Sequence, residues 1–384
     1  MLTAYTDELD DERLAADQLL ERLSADGGLL KNSVGIIHCD NEFLYSGFAA
    51  RLCKRLPFDV IGGTAMYAGT RDYVGQHALT LTVLTGGGVR FAAGRTEPIS
   101  GDVKPPVVSL LNGLSGGEKP ALVIVSAPLL ANVCGEEYVA AFDAYDPTVP
   151  VFGSVASSRT ADWTSIYTFY NGEYFDSSLC AIAVFGDIKP KFFKISLDED
   201  SLIKQPAVIT DGEKNLIKAI NGAAPVDFLS SVGLCDGSDS GNSDSGNLRY
   251  TPFTIHYPDG SAATRAMFRI DSDGYVVCGG AMPVGSKISI SPIDADEIVR
   301  KTAAGLKTAF RGADGKNLYA VSCAVRNWVM GIEQDAEARE LEKAMKDKIG
   351  AYSLMYSGGE FCPEGAGKTF RNTFNNVTLV LCLF

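Results

Sequence analysis

The chain has 384 residues, 46% of them hydrophobic, and a formal net charge of -13. This size and composition suit a globular protein of two domains with ample material for a core. Without a Lys/Arg cluster to neutralise phosphate, the charge argues against nucleic acid and anionic membranes as partners. No run of about 18 apolar residues offers a membrane span.

The N-terminal stretch MLTAYTDELDDERLAADQLLERL is acidic and amphipathic, whereas a secretory signal is basic and then continuously apolar. The nine cysteines form no C-x-x-C pair. Several lie in apolar strand-like runs, such as Cys180 in SLCAIAVF and Cys382 in VTLVLCLF, so reduced, buried thiols in a cytoplasmic protein are expected. A zinc site lacks its paired ligands.

The first periodic pattern begins at VGIIHCD, residues 34–40. FLYSGFAARLCKRL follows with Phe43, Phe48, Leu52 and Leu56 on one helical face. The strand FDVIGGTAM then stops at Gly62 and Gly63, and HALTLTVL returns. The same order recurs from residue 121. ALVIVSAP is a strand, CGEEYVAAFDAY a helix, and VPVFGSVAS a strand stopping at Gly153 and Ser154. SLCAIAVF returns after the insertion DWTSIYTFYNGEYF.

The texture then changes. CDGSDSGNSDSGNLRY reads as a Gly/Ser/Asp/Asn loop without the calcium-loop spacing. AMFRIDSDGYVVCGGAMPVGSKISIS reads as a β-meander turning at Asp273-Gly274. The third copy begins with NLYAVSCAVRNWVMG as its strand. DAEARELEKAMKDKI is its helix, with Ala338, Leu341, Met345 and Ile349 on one stripe. GAYSLMYSGGE stops at Gly358 and Gly359, and NVTLVLCLF closes the chain. GAGKT within GGEFCPEGAGKTF lacks the P-loop's first glycine, because position 362 is Cys362, and no helix follows. It reads as a Gly-rich loop before a last strand, with Lys368 solvated.

These patterns predict an α/β fold of repeated strand–helix–strand units with mixed sheets. An N-terminal domain over 1–200 holds two copies. A C-terminal domain over 201–384 holds the loop, the meander and the third copy. Right-handed crossovers place strand C-termini on one sheet edge, where open α/β sheets bind ligands.

The stretches VIGGTAM, VPVFGSVAS, DSDGYVVCGGAMPVGSKISI, SCAVRNWVMG and SLMYSGGEFCPEG…FNNVTLVLCL resemble the FIST family of bacterial and archaeal signal-transduction proteins over nearly the whole chain. The resemblance implies a ligand-sensing module for amino acids or similar small polar metabolites. It also implies a signalling partner such as a histidine kinase, a chemotaxis receptor or a cyclic-nucleotide enzyme.

If the three exits share one crevice, its polar residues are His38, Asp40, Gly63 and Thr64 from the first copy. Ser126 and Ser154 come from the second, and Ser322, Arg326, Asn327 and Glu360 from the third. Arg326 and Glu360 either clamp a zwitterion by both charges or pair with each other. Asn376 and Thr378, in the closing motif, either contact ligand or bond locally at the entry to the last strand. Trp163 and Trp328 are expected in core or pocket wall. Some FIST-like proteins are discussed as haem-dependent gas sensors, so a haem sensor with His38, His77 or His256 as axial ligand is the runner-up reading, without a covalent-attachment motif. A ligand-free interaction scaffold is the third, and the first reading needs no cofactor. The nearest approach to a nucleophile elbow, VFGSVAS, has the wrong glycine spacing, and nothing in the sequence activates Cys39 or Cys362. The expectation is a binding protein and not an enzyme.

Overall fold

A computed structural model describes residues 1–25, 29–71, 73–159, 164–197, 203–235, 248, 250–258, 260–311, 316–345, 349–366 and 369–384. Within them the chain runs three times through one element order: strand, helix, strand, helix, strand, hairpin, strand. Unit 1 consists of β1 (Leu2–Thr6), α1 (Glu12–Ala25), β2 (Ser33–Cys39), α2 (Glu42–Tyr45), α3 (Phe48–Cys53), β3 (Val60–Thr64), β4 (Tyr67–Thr70), β5 (Tyr73–Gly75) and β6 (Leu79–Thr85). Unit 2 consists of β7 (Val89–Arg95), α4 (Lys104–Ser115), β8 (Leu122–Ala127), α5 (Gly135–Tyr145), β9 (Val151–Val155), β10 (Thr168–Tyr170), β11 (Glu173–Phe175) and β12 (Cys180–Gly186).

Unit 3 opens with β13 (Lys191–Ile195) and is then interrupted. The insertion holds β14 (Ile203–Glu213), β15 (Leu216–Ile220), α6 (Pro225–Ser231), β16 (Phe253–His256), β17 (Ala262–Arg265), β18 (Met267–Ile270), β19 (Val276–Cys278) and β20 (Lys287–Ile290). Unit 3 resumes with α7 (Ala295–Ala309), β21 (Lys316–Cys323), α8 (Ala324–Met330), α9 (Ala336–Met345), β22 (Ile349–Ser357), β23 (Gly359–Ala366), β24 (Thr369–Asn375) and β25 (Leu379–Leu383).

The three units build three equivalent six-stranded sheets, ordered β1-β6-β2-β3-β10-β11, β7-β12-β8-β9-β23-β24 and β13-β25-β21-β22-β4-β5. In each, the crossover pair is parallel as expected (β2 with β3, β8 with β9, β21 with β22). Each hairpin leaves its own unit. β4–β5 extends the sheet of unit 3, β10–β11 that of unit 1, and β23–β24 that of unit 2. This cyclic exchange locks the units together through backbone hydrogen bonds.

Hydrophobic periodicity sets the layers. The strands of the three sheets share a central core of Ile36, Ile61, Ile124, Phe152, Ile182, Tyr319, Val321, Met355 and Val380. On the outer faces, helices cover a separate cluster for each unit. Helix α7 starts where Asp294 accepts a hydrogen bond from Glu297 N at 2.7 Å, a side-chain cap for an orphan N–H. Helix α9 buries Ala338, Leu341 and Met345, the stripe read from sequence, but ends there. Ile349, expected on that stripe, instead begins β22.

Three other sequence expectations are corrected. FLYSGFAARLCKRL is two short helices, broken at Gly47 with φ 75°. The stretch read as one strand, NLYAVSCAVRNWVMG, turns helical at Ala324, so Arg326 and Asn327 stand on a helix. The glycine pairs do not end the strands alike. Gly62 and Gly153 lie within β3 and β9 at φ 153° and 150°, where a Cβ would overlap the Ile37 and Val125 carbonyls. Counting register from the crossover partner, the matching residue of unit 3 is Met355, opposite Val321.

GAGKT lies in the β23–β24 hairpin, where Gly365 pairs with Phe370 and Ala366 with Thr369. A hairpin, not a loop before one strand, therefore occupies this stretch, and a phosphate-binding helix start is excluded. Gly367, Lys368, Trp163 and most of the CDGSDSGNSDSGNLRY tract lie outside the described residues.

The meander expected after residue 250 belongs to a larger antiparallel sheet, ordered β17-β16-β20-β14-β15-β19-β18. Its two edge strands are joined by the single residue Ala266. The sheet must therefore curl until its edges meet at that corner. Ile209, Ile217, Phe253, Ile255, Met267 and Val276 fill its interior. The turn at Asp273-Gly274 forms as expected: Gly274 has φ 77°, and Asp271 N donates to Tyr275 O.

Candidate functional site

The three strand exits do converge. Ser157 N donates to Thr64 O at 3.0 Å and Gly358 N to Val155 O at 3.0 Å. Ser157 Oγ accepts from Met66 N and donates to Tyr356 O. All three units thus meet around Ser157, which is fully buried. The meeting point is packed with the buried side chains of Thr64, Met66, Val155, Tyr356 and Ser357. The hairpin exchange fills the crevice expected at this sheet edge.

Several residues expected there are engaged in structure. The His38 ring meets the Tyr319 hydroxyl at 3.0 Å, and burial lowers its pKa to about 4. Thr64 Oγ1 accepts from Tyr167 N at 3.0 Å. Gly63 leaves room for the Ser126 hydroxyl, which a Cβ would approach to 2.9 Å. Ser154 is buried opposite Glu360 in the β9–β23 ladder, and its Oγ has no partner among the described residues. Asp40 pairs with Arg159 at 3.1 Å, with His77 at 3.9 Å. His256 meets Ser289 Oγ at 2.8 Å. Among the described residues, no group of three His, Cys, Asp or Glu side chains is placed to hold a metal. Burial pushes the Cys39 and Cys362 thiols up, away from reactivity.

Arg326 and Glu360 do not pair. Arg326, at 0% exposure, donates from Nε to Glu337 Oε1 at 3.0 Å, from Nη2 to Thr302 Oγ1 at 2.8 Å and from Nη1 to Val377 O at 3.3 Å. Ser322 and Thr302 donate to the same Glu337 carboxylate, which closes the network. Asn327 Nδ2 donates to Gln334 O at 2.7 Å and fixes the turn into α9. Sequence reasoning missed Glu337 because it stands on the polar side of an amphipathic pattern. Glu360, also fully buried, accepts from Ser357 Oγ at 2.9 Å and Thr378 Oγ1 at 2.8 Å. Burial raises its pKa to about 8, against the pull of those hydroxyls and of Arg326, so a neutral carboxyl is favoured at pH 7.

Three buried polar atoms without a partner among the described residues lie where the inserted sheet meets units 2 and 3; others, on Ser154 and Tyr356, lie at the strand exits. Asn376 is 1% exposed, and neither its Oδ1 nor its Nδ2 has a partner among the described residues. Its amide faces Gly279, where a Cβ would come within 2.7 Å of Oδ1. Beside it, Gly280 leaves the same kind of space against Arg265 Nε, at 2.7 Å from a Cβ position. Arg265 stands at the sheet corner next to Ala266, is 2% exposed, and its Nε is also unpartnered. Its Nη2 donates to Glu136 Oε1 at 2.5 Å, and Glu136 Oε2 accepts from Ala281 N at 2.8 Å. Glu136 lies in the first turn of α5, where the helix dipole favours a carboxylate.

Backbone strain marks the same place. Val377 has φ 59°, an outlier for a β-branched residue. Arg326 holds its carbonyl, Cys323 N holds the following carbonyl at 3.0 Å, and its side chain packs with Ala266, Val325 and half-buried Trp328. Strain of this kind persists only where the surroundings over-determine it, and it concentrates at ligand clamps. Asn376 therefore lacks the local bond expected of it. Its neighbour Asn375 makes one instead, to Thr373 Oγ1 at 3.0 Å. The glycines inside VVCGGAM could have signalled close approach. Arg265 and Glu136 carried no sequence signal.

No curated protein matches the chain. A solved structure described as "cyanuic acid hydrolase from A. caulinodans" aligns over 100% of this chain and 97% of that one, at 12% identity and a TM-score of 0.33, too low to carry an argument. The family model of the FIST N domain matches residues 33–223 and that of the FIST C domain residues 226–363. The second match takes in Arg265, Gly279, Gly280, Arg326 and Glu360. FIST domains are associated with sensory signal transduction, and this chain belongs to the FIST family.

Proposed function

We propose that the chain is a sensory binding protein, not an enzyme, and that it holds an amino acid or similar zwitterion between the inserted sheet and the three-unit core. The observation that carries this reading is the Asn376 side chain, buried with its donor and acceptor both free, beside the free Nε of Arg265. A buried amide without hydrogen bonds is costly, so a polar ligand that pairs with it gains affinity. Asn376 Nδ2 and Arg265 Nε suit a carboxylate. Asn376 Oδ1 suits an ammonium group. Glu136, with a side chain 32% exposed, is the part of this group that reaches solvent.

The ligand would bridge two bodies, since Arg265, Gly279 and Gly280 belong to the insertion and Asn376 and Glu136 to units 3 and 2. It would shift their relative arrangement by its differential affinity for each. A signalling partner, such as a histidine kinase, a chemotaxis receptor or a cyclic-nucleotide enzyme, would read that shift by contact. The nine free cysteines, seven of them buried, favour a reducing, cytoplasmic setting.

A thermal-shift and calorimetric panel of the common amino acids tests the reading. A true ligand at a hundred times its Kd adds about 2.7 kcal/mol of stability, and Arg265→Met removes the response. No hit in the panel, or a hit that Arg265→Met leaves intact, refutes it.

A further inference from the structure

At the end of the three-sheet core opposite the strand exits lies a cavity of about 180 Å³. It is framed by all three units. Leu84 and Val184 come from the far ends of β6 and β12, Leu122 and Ile124 from the start of β8, and Phe384 from the residue after β25. The β2–β6 register sets Leu84 against Val34, at the start of β2, whereas the exits lie beyond His38.

The lining is almost wholly apolar, and its two polar side chains are already engaged. Asn317 Oδ1 accepts from Ala351 N at 3.1 Å, and Thr85 Oγ1 meets Ser33 Oγ at 2.9 Å. Apart from the Met1 amino group, whose pKa burial lowers, a polar ligand would find no free side-chain partner there and would lose hydration. The cavity is half open to solvent, and its apolar walls are of the kind that accept benzene in an enclosed space of about 150 Å³.

The geometry points to a second binding site, separate from the polar junction, for an uncharged apolar molecule between one aromatic ring and two fused rings in size. Its occupant would touch all three units at once and so favour their assembled arrangement. This inference does not depend on the amino-acid reading, because the two sites share no residue.

The test is NMR on the full chain with methyl-labelled Leu, Ile and Val, using toluene and indole as probes and benzoate as the charged counterpart. Toluene and indole should give intermolecular NOEs to methyls of Leu122, Ile124 and Val184, and benzoate none. Val89→Trp, at the half-buried rim, should fill the space and abolish those NOEs. Asn376→Leu should leave them unchanged. Absence of NOEs from both apolar probes overturns the proposal. So does their survival in a folded Val89→Trp variant, or equal NOEs from benzoate. If that variant does not fold, the parent's NOEs to the three named residues decide alone.

Discussion

Arg326 and Arg265 are both buried, at 0% and 2% exposure, yet their surroundings differ in kind. Arg326 is enclosed by acceptors from α7, α9 and the β24–β25 turn, and each of its three nitrogens is engaged. Arg265 donates to Glu136 and to Thr264 O, but among the described residues its Nε has no partner, and neither has the Asn376 side chain. A buried charge needs a partner to be tolerated at all, so pairing alone says nothing of function. Incomplete satisfaction is the informative feature, because folding by itself favours closing every such network.

The sharpest way to break this contrast is Arg326→Met. It strands Glu337 without a counter-charge in a fully buried site, and the expected loss is about 3–5 kcal/mol in chemical denaturation. The double variant Arg326→Met, Glu337→Leu should recover much of that loss, since an apolar pair of similar volume is often neutral. If Arg326→Met is as stable as the parent, the network is not structural and the contrast fails.

Glu360 gives the next largest effect, read through pH. Its pKa is about 8 when folded, against an ordinary 4.5. The folded protein therefore keeps a proton that the unfolded chain releases. The stabilisation is complete below pH 4.5 and is lost as pH rises through 8. His38 works the other way, since its folded pKa of about 4 costs stability as pH falls below 6.5. Above pH 6.5 the Met1 amino group, whose pKa burial lowers from 8.0, acts in the opposite sense, so the Glu360 contribution is read as the difference between parent and Glu360→Gln. Stability should fall by about 2 kcal/mol between pH 6.5 and 8, and Glu360→Gln should flatten that slope. An unchanged slope in the variant would assign the titration to another group.

Arg265→Met should cost less, about 1–2 kcal/mol, because the Glu136 it leaves behind still reaches water. The same change should eliminate any amino-acid response. A loss as large as that of Arg326→Met would make the two arginines alike and remove the basis for placing ligand at the junction.

The repeat was legible because β-branched runs alternating with amphipathic stretches recur in one order, and local periodicity sets local structure. The parallel crossovers followed from chain handedness. The hairpin exchange was not legible, because which sheet a short strand such as Thr168–Tyr170 joins depends on distant backbone edges. That exchange filled the expected crevice. It packed the exits around Ser157 and gave His38 and Thr64 structural partners. Asn376 and Thr378 were legible as polar residues of the closing motif, and Glu360 as a charge just past two glycines. The residues that surround Asn376 at the junction lay far away in sequence: Arg265 and Gly279 more than ninety residues before it, and Glu136 earlier still. No spacing rule joins residues across such an insertion.

The smallest change in stability is the most discriminating. At 1% exposure the Asn376 amide has no partner among the described residues, which costs about 1–3 kcal/mol for such groups. Leucine has the same branched four-heavy-atom shape, with somewhat more volume and no polar atoms to strand. Asn376→Leu should therefore leave stability unchanged or raise it by up to about 1 kcal/mol, where a structural asparagine at 1% exposure would lose more than that. The variant should at the same time fail to respond to any amino acid that stabilises the parent. Stability retained with response lost is the pattern of a residue kept for its ligand. A variant that loses stability outright would make the amide part of the scaffold, its partners lying in contacts the fold makes only on assembly, and the junction would then be an interface and not a receptor.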